Sequence, residues 1–321
     1  MTSTEATPAA ATGRAAAPDP ADPATPAPAA PAAPAPVPAP APTPAPAPAA
    51  RTARRRPRVG PLLLALPVPA LVLLLWTVGV QQAWELPFGI RMGFLPTPLE
   101  VGRRLVDLAV GGIVDDAFSG TLPAHLWAST QRVLAGFALA VALAVPLGVV
   151  MGRFSLAFRM LEPTVNLARP IPVTAWAPLT LLIIGYGDGS AIFLVFLAAF
   201  FPVLLNTIAG VRQVPVRLLE AAAMLGTRPA QVLYKVVLPA SMRSIASGLR
   251  VALGLAWVIL VVGETVGIST GLGAMITQAR DQSKTDLIVA GMVVIGLCGF
   301  VADRLLTGLL TLVTRGRPTL T

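Results

Sequence analysis

The stretch LLLALPVPALVLLLWTVGV, Leu62–Val80, contains 19 residues and no charged side chain. As an α-helix it is about 28 Å long, at about 1.5 Å per residue. That length matches the hydrocarbon core of a bilayer, which is about 30 Å thick. The stretch therefore predicts a membrane-spanning helix.

A cleaved signal peptide is the alternative interpretation of this stretch, because the arginines before it resemble the basic start of such a peptide. The apolar run is longer than the hydrophobic region of most signal peptides, and no clear A-x-A cleavage site follows it. Both observations favour a retained span.

The composition of the whole chain is that of a membrane protein. Of its 321 residues, 55% are hydrophobic and only 12% are charged, and the mean hydropathy is +0.75, so an ordinary soluble domain is excluded. The net charge of +9 is carried by basic residues at the edges of apolar runs, which indicates topology rather than binding to nucleic acid. One cysteine and one histidine exclude an internal disulfide and a His/Cys zinc site, so we expect no metal and no cofactor.

The region before the first span has a different character. Residues 15–50 are almost entirely Ala and Pro, a composition that cannot bury a core and predicts disorder. We therefore divide the chain into a disordered cytoplasmic tail over residues 1–58 and a six-span domain over residues 59–321. The tail ends in a cluster of five arginines that should hold it in the cytoplasm: Arg51, Arg54, Arg55, Arg56 and Arg58.

Five more apolar runs complete an all-α polytopic fold with six transmembrane helices. The third predicted span is short and contains Pro178, so we expect it to begin earlier, near Pro163, with non-helical backbone buried against neighbouring helices. The five runs are Trp127–Met151, Val173–Gly185, Ala191–Val211, Ile245–Gly263 and Leu287–Val313.

The charges of the connecting loops give the orientation. With the amino terminus inside, the outer loop 81–126 has a net charge of −2, and the inner loops 152–172 and 212–244 have +2 and +4. Because positive residues concentrate on the cytoplasmic side, this pattern predicts six spans with both termini in the cytoplasm.

The outer loop is predicted to contain a helix. Thr97 and Glu100 form a capping pattern ahead of Val101, Leu105 and Leu108, which recur at helical spacing. Such a helix either lies on the outer membrane surface or packs on the outer ends of the spans.

The inner loop between the fourth and fifth spans, residues 214–239, predicts two short helices. Pro215 is suited to the start of the first, and Gly226 to a left-handed residue that ends it. Thr227 is placed to cap the second helix, and Pro239 to follow its end. A helix, turn and helix on the inner face form a surface suited to a protein partner.

At these residues the sequence resembles the permease subunits of binding-protein-dependent ABC importers. The resemblance implies that the segment from Glu220 to Gly226 is a cytoplasmic coupling helix that docks into a separate ATP-binding subunit. It further implies an extracytoplasmic substrate-binding protein and a second permease copy, which we expect to form a homodimer. An ordinary alanine-rich surface helix is the alternative interpretation. The positions that match the family motif are Glu220, Ala221, Ala222, Gly226, Leu238 and Pro239.

Further short matches resemble the subgroup that imports nitrate, taurine and aliphatic sulfonates. The resemblance covers about residues 61–315, and it implies that the chain forms the path for a small organic or inorganic anion. The matching segments are Leu95–Pro98, Ser129, Arg132–Val133, Arg169–Pro172 and Gly271–Gly273.

The chain is not expected to be an enzyme. Its two lysines, Lys235 and Lys284, are not part of a Gly-x-x-x-x-Gly-Lys-Ser/Thr loop, so ATP must bind to another chain. An intramembrane enzyme lacks a convincing nucleophile and base, since His125 lies near a membrane boundary and Cys298 lies in an apolar helix. An ion-coupled secondary transporter is the alternative function, although no acidic residue lies clearly at the middle of a span.

Charged residues in or near the spans are candidates for the solute path. Arg132, Arg250 and Glu264 must each face protein or water rather than lipid. Arg132 and Glu264 are the candidate path residues, and structural ion pairing is the alternative. Gly148 and Gly152 allow close packing of helices, which is compatible with a dimer.

Overall fold

The computed structural model describes residues 67–314. The predicted disordered tail, its arginine cluster and the first residues of the first span lie outside this range. Helices dominate the described part of the chain, with one two-residue antiparallel strand pair, β1 (Glu85–Leu86) and β2 (Ile90–Arg91). The helices are α1 (Pro67–Gln81), α2 (Pro98–Val110), α3 (Leu122–Arg153), α4 (Ser155–Ala168), α5 (Val173–Ile184), α6 (Asp188–Arg212), α7 (Val216–Met224), α8 (Pro229–Val232), α9 (Leu238–Glu264), α10 (Leu272–Asp281) and α11 (Thr285–Thr314).

Four of the described helical segments are long and apolar enough to cross a membrane, and a fifth candidate is a bent pair of helices. The four overlap with predicted spans, and each begins before the predicted start: Leu122–Arg153, Asp188–Arg212, Pro229–Glu264 and Thr285–Leu312. Of the first predicted span, the described part is α1, an apolar helix of 15 residues. The all-α membrane fold is confirmed, and the count of six spans stays a prediction.

The third predicted span differs from the expectation. Its helix, α5, follows α4 at an angle of 91° across a short break, whereas Pro163 lies inside α4. The non-helical backbone lies at residues 169–172, and these residues are exposed, whereas we expected them to be buried against neighbouring helices. Pro170 and Pro172 account for this break, because two prolines within three residues remove two backbone donors from a helix.

The core forms where α6 packs along both α3 and α9. Gly148 and Gly152 allow the close contact between α3 and α6: a Cβ atom at Gly148 would lie 2.7 Å from Thr207 Cβ, and one at Gly152 would lie 2.6 Å from Val211 Cβ. These glycines thus allow helices of the same chain to pack closely, and they are not evidence for a dimer.

The predicted outer helix is present as α2. The Thr97 hydroxyl accepts a hydrogen bond from the Glu100 backbone, and the Glu100 carboxylate accepts one from the Thr97 backbone, so the expected capping box is confirmed. Val101 and Leu108 are buried in the same apolar cluster as Leu287 of α11. The helix therefore packs on the ends of other helices, the second of the two alternatives.

An ion network around the buried Arg104 fixes the region of α2. Arg104 pairs with Asp107 at 3.1 Å, with Asp116, and with Asp286 at 3.3 Å, and Lys284 Nζ lies 2.9 Å from Asp116. Burial alone would raise the pKa of Asp116, but the hydrogen bonds from Arg104 and Lys284 outweigh it and lower that pKa to about 2. Since the folded pKa is depressed, the stabilisation is present above the ordinary carboxyl range and is lost only as the pH falls toward 2.

Candidate functional site

Helix α7 ends at Gly226 in the left-handed conformation, as the sequence predicts. The φ angle of Gly226 is +66°. Its N–H donates to Ala223 O at 2.9 Å, and the Thr227 N–H donates to Ala222 O at 3.2 Å. This pair of bonds is the Schellman motif, which satisfies the last carbonyl groups of a helix. The turn after α7 is therefore fixed by its own backbone.

The expected role of Thr227 as the cap of the next helix is wrong. Its hydroxyl donates back to Ala222 O of α7, and the residue before α8 is Arg228. The Arg228 N–H instead donates to the side chain of Gln231 at 3.4 Å. The Schellman turn brings the Thr227 hydroxyl beside the Ala222 carbonyl group, which therefore accepts hydrogen bonds from both the N–H and the hydroxyl of Thr227.

Pro239 does not end the second helix, contrary to the expectation. The helical segment from Pro229 runs without interruption to Glu264. A π-helical turn over Leu233–Val237 precedes α9, and the Leu238 N–H donates to Leu233 O. This wider turn lies directly before Pro239, which is in the first turn of α9 and cannot donate to a preceding carbonyl group. The loop that contains α7 is thus connected to the apolar helix α9 by one continuous helical segment.

The two faces of α7 have different surroundings. Ala222 is buried, whereas Glu220, Ala221, Met224 and Leu225 are exposed, Met224 to 88%. A small apolar cluster joins this loop to the C-terminal end of α6: Val211, Val214 and Val237 are its buried members, and Leu219, Val232 and Leu233 pack against them. The loop therefore exposes two apolar side chains, Met224 and Leu225, at its tip, while its base is anchored by the buried Ala222 and by the valine cluster.

The motif residues are distributed over two places. Glu220, Ala221, Ala222 and Gly226 belong to α7 and its turn, and Leu238 and Pro239 lie half-buried at the start of α9.

The two candidate path residues form a buried ion pair, the outer pair. Arg132 Nη1 of α3 lies 2.6 Å from Glu264 Oε1 at the end of α9. Glu264 is 0% exposed and Arg132 is 4% exposed. Arg132 also donates to Asp188 Oδ1 through Nε at 2.8 Å, and to Thr270 O at 2.6 Å. Each nitrogen of its guanidinium group has an acceptor in the protein.

Glu264 is held as closely as Arg132. Its carboxylate accepts hydrogen bonds from Ser129 Oγ at 2.8 Å and from the Gly273 N–H at 2.8 Å. Gly271 passes so close that a Cβ atom there would lie 2.4 Å from the Glu264 carboxyl carbon. The Gly271 N–H donates a hydrogen bond to His125 Nδ1 at 3.0 Å. Loop 265–271, between α9 and α10, is thereby tied to α3.

Sequence reasoning missed Asp188 and Thr270 as members of this cluster. Asp188 is the first residue of α6, directly after Gly187. It is far from Arg132 in sequence, so no local pattern predicts their contact. The sequence contains one signal of this contact. An unpaired charge within a span is costly, so Arg132 is expected to need a carboxylate from a neighbouring helix. Within residues 67–314, no group of three or more His, Cys, Asp or Glu side chains is arranged to hold a metal ion.

Residues 144–316 match the model of the family described as "binding-protein-dependent transport system inner membrane component". The chain is 36% identical over 229 residues to the taurine transport system permease protein TauC of Escherichia coli, covering 71% of this chain and 80% of that protein. It is 35% identical over 240 residues to the putative aliphatic sulfonates transport permease protein SsuC of Bacillus subtilis, covering 74% and 81%. It is 30% identical over 220 residues to the nitrate import permease protein NrtB of a Synechocystis species, covering 68% and 80%.

The fold is similar to that of a solved chain of the MetNI methionine ABC transporter in an inward-facing conformation. The TM-score is 0.52 at 20% sequence identity, and the match covers 60% of this chain and 95% of the other. This likeness concerns the arrangement of the helices alone.

Proposed function

Since this chain belongs to the family of binding-protein-dependent transport system inner membrane components, the permease subunits of ABC importers, we propose that it forms an anion path driven by a separate ATPase subunit. Permeases of this family are membrane components without enzymatic activity, and the expectation that the chain is a permease rather than an enzyme is confirmed. The finer parts of the proposal concern the arrangement in the membrane, the coupling helix, the partners and the solute.

We propose six spans, with both termini and α7 on the cytoplasmic side, and a domain boundary near residue 58. The loop charges support this arrangement, because the loop that contains α7 has a net charge of +4 and the loop that contains α2 has −2.

The proposed coupling helix is α7. Its support is the combination of exposed apolar side chains, Met224 and Leu225, with a base anchored through Ala222 and the Val211, Val214 and Val237 cluster. Apolar side chains at an exposed helix end are suited to a hydrophobic groove on a partner. The exposed carboxylate of Glu220 adds a charge that helps to select that partner.

Movement of α7 would reach the membrane directly. The helix is connected to α6 by a short link at residues 213–215, and to α9 through the continuous helical segment Pro229–Glu264. A rigid connection of this kind allows ATPase closure to bias the spans between two arrangements. This connection is the single observation that best supports the coupling proposal.

The proposed partners are two ATP-binding subunits, an outer substrate-binding protein and a second copy of the permease. The proposed solute is a small anion such as a sulfonate, taurine or nitrate, in line with the names of the relatives. At the outer end of the path, we propose that Arg132 and Glu264 act by holding loop 265–271 in place, because their polar atoms already have partners within the chain.

The experiment that tests this function is uptake by the complete complex in proteoliposomes. We expect uptake of taurine, ethanesulfonate or nitrate that requires ATP and the ATPase subunit, and that persists when ionophores collapse the ion gradients. A non-hydrolysable ATP analogue provides the matched control. Uptake without the ATPase subunit, abolished by the ionophores, would favour the secondary-transporter alternative.

A further inference from the structure

Arg250 and Asp303 form a bidentate ion pair between two spans, here called the mid-span pair. Arg250 Nε lies 2.8 Å from Asp303 Oδ1, and Arg250 Nη2 lies 2.9 Å from Asp303 Oδ2. Arg250 lies about halfway along α9, and Asp303 lies past the middle of α11. The pair is therefore far from both ends of its helices.

The mid-span pair is open on one side of the chain. The side chain of Arg250 is 51% exposed and that of Asp303 is 34% exposed. Charged side chains within membrane spans face protein or a water-filled cavity, since lipid solvates them poorly. The open side of this pair therefore does not face lipid.

A narrow polar stripe runs along α9 through Arg250, beside the exposed apolar side chains of Val251 and Val258. Arg243, Ser247, Arg250 and Gly254 are all exposed and follow one another at helical spacing along one face of α9. A Cβ atom at Gly254 would meet nothing within 4 Å. A lipid-facing stripe would instead carry large apolar side chains.

The facing helix contributes a second stripe of small residues. On α11, Gly296 and Gly299 precede Asp303 at helical spacing, and a Cβ atom on either glycine would meet nothing within 4 Å. The mid-span pair thus lies in a groove floored by these glycines, and the exposed side chains of Met292 and Phe300 lie on the same face of α11. Such a groove leaves room for water and for a small solute.

The geometry of the pair leaves one edge of the guanidinium group available. Asp303 occupies the edge formed by Nε and Nη2, whereas Nη1 of Arg250 has no hydrogen-bond partner among the described residues. The edge formed by Nη1 and Nη2 has the right spacing for two oxygens of one oxyanion. A sulfonate or a nitrate presents two such oxygens.

From these observations we infer that the groove between α9 and α11 lines the solute path, and that Arg250 binds the oxyanion group of the passing solute. Asp303 positions the guanidinium group and balances its charge when no solute is present. The inference rests on the proposed function and adds to it a named contact and a chemical class of solute. A substitution that leaves the fold intact but removes the cation should therefore impair transport.

The first test is the neutral double variant Arg250→Gln/Asp303→Asn in the complete complex. It removes both charges but retains hydrogen-bonding side chains, so neither helix carries an uncompensated charge. We expect ethanesulfonate or nitrate uptake per ATP hydrolysed to fall by about tenfold, the effect of losing one charge-assisted hydrogen bond, with normal attachment of the ATPase subunit. Wild-type uptake in this variant would overturn the inference.

The matched control is Glu85→Gln/Arg91→Gln, which neutralises an exposed ion pair outside the spans. This control should transport as the unmodified protein does. A failure of the proposed function would appear differently, as absence of ATP-dependent uptake in the unmodified complex.

The second test does not depend on transport or on the stability of the charge variants. Cys298 is the only cysteine of the chain, so Cys298→Ala provides a background for single-cysteine labelling. We expect Ser247→Cys and Gly254→Cys to react with a sulfonate-bearing methanethiosulfonate reagent, and Leu143→Cys, on the exposed apolar face of α3, to remain unlabelled. Unreactive cysteines at 247 and 254 would overturn the inference and assign the groove to a contact between permease copies.

Discussion

Replacing Gly226 with valine is expected to abolish solute uptake while the permease still inserts into the membrane. At φ +66°, Gly226 occupies a backbone conformation that costs other residues about 1–2 kcal/mol, and more for a β-branched one. The Schellman bonds from Gly226 and Thr227 would be lost or distorted, so the exposed tip of α7 would be misdirected. Uptake should fall by at least about tenfold, the factor that corresponds to about 1.4 kcal/mol.

The matched control at this position is Gly226→Asn, since asparagine tolerates the left-handed conformation. A Cβ atom at residue 226 would meet nothing within 4 Å, so the valine variant tests backbone conformation and not steric overlap. Uptake in cells and co-purification of the ATPase subunit measure the effect. Full transport by the valine variant would contradict the coupling role of this turn.

Replacing Arg132 with methionine is expected to destabilise the permease strongly. The substitution leaves the carboxylate of Glu264, which is 0% exposed, without its cation. Removing one partner of a buried ion pair costs about 3–5 kcal/mol. We therefore expect a large loss of folded protein and a lower midpoint of thermal unfolding in detergent.

The double variant Arg132→Met/Glu264→Gln separates charge from packing. With both charges removed, no uncompensated carboxylate is buried. The unfolding midpoint of the double variant should therefore lie well above that of Arg132→Met. Arg280→Gln is the matched control: it breaks an exposed pair with Asp281, and such pairs contribute about 1 kcal/mol or less. Equal midpoints for Arg132→Met and Arg280→Gln would contradict a stabilising role for the outer pair.

The sequence predicts the membrane fold well because hydrophobicity and loop charge act over whole segments. The positions of α3, α6, α9 and α11 follow from apolar runs, and the end of α7 follows from a single glycine. These features depend on local residues alone, so no knowledge of the tertiary structure was needed.

The errors arise where a tertiary or mid-range contact decides the structure. Thr227 and Pro239 each have a strong local preference, but the Schellman turn and the π-helical turn override it. The partners of Arg132 could not be named, because Asp188 and Glu264 reach it from two other helices. Local patterns predict that a buried charge needs a partner, and they do not identify the helix that supplies it.

Photo-crosslinking from α7 tests the central claim most directly, the claim that this helix transmits the action of the ATPase. A photoreactive residue replaces Met224, which is 88% exposed. A matched one replaces Val110, an exposed residue of α2, which is predicted to lie on the outer side. The account predicts a crosslink to the ATPase subunit from position 224 in a transport-active complex, and none from position 110. A transport-active complex in which position 224 never crosslinks to the ATPase subunit would contradict it.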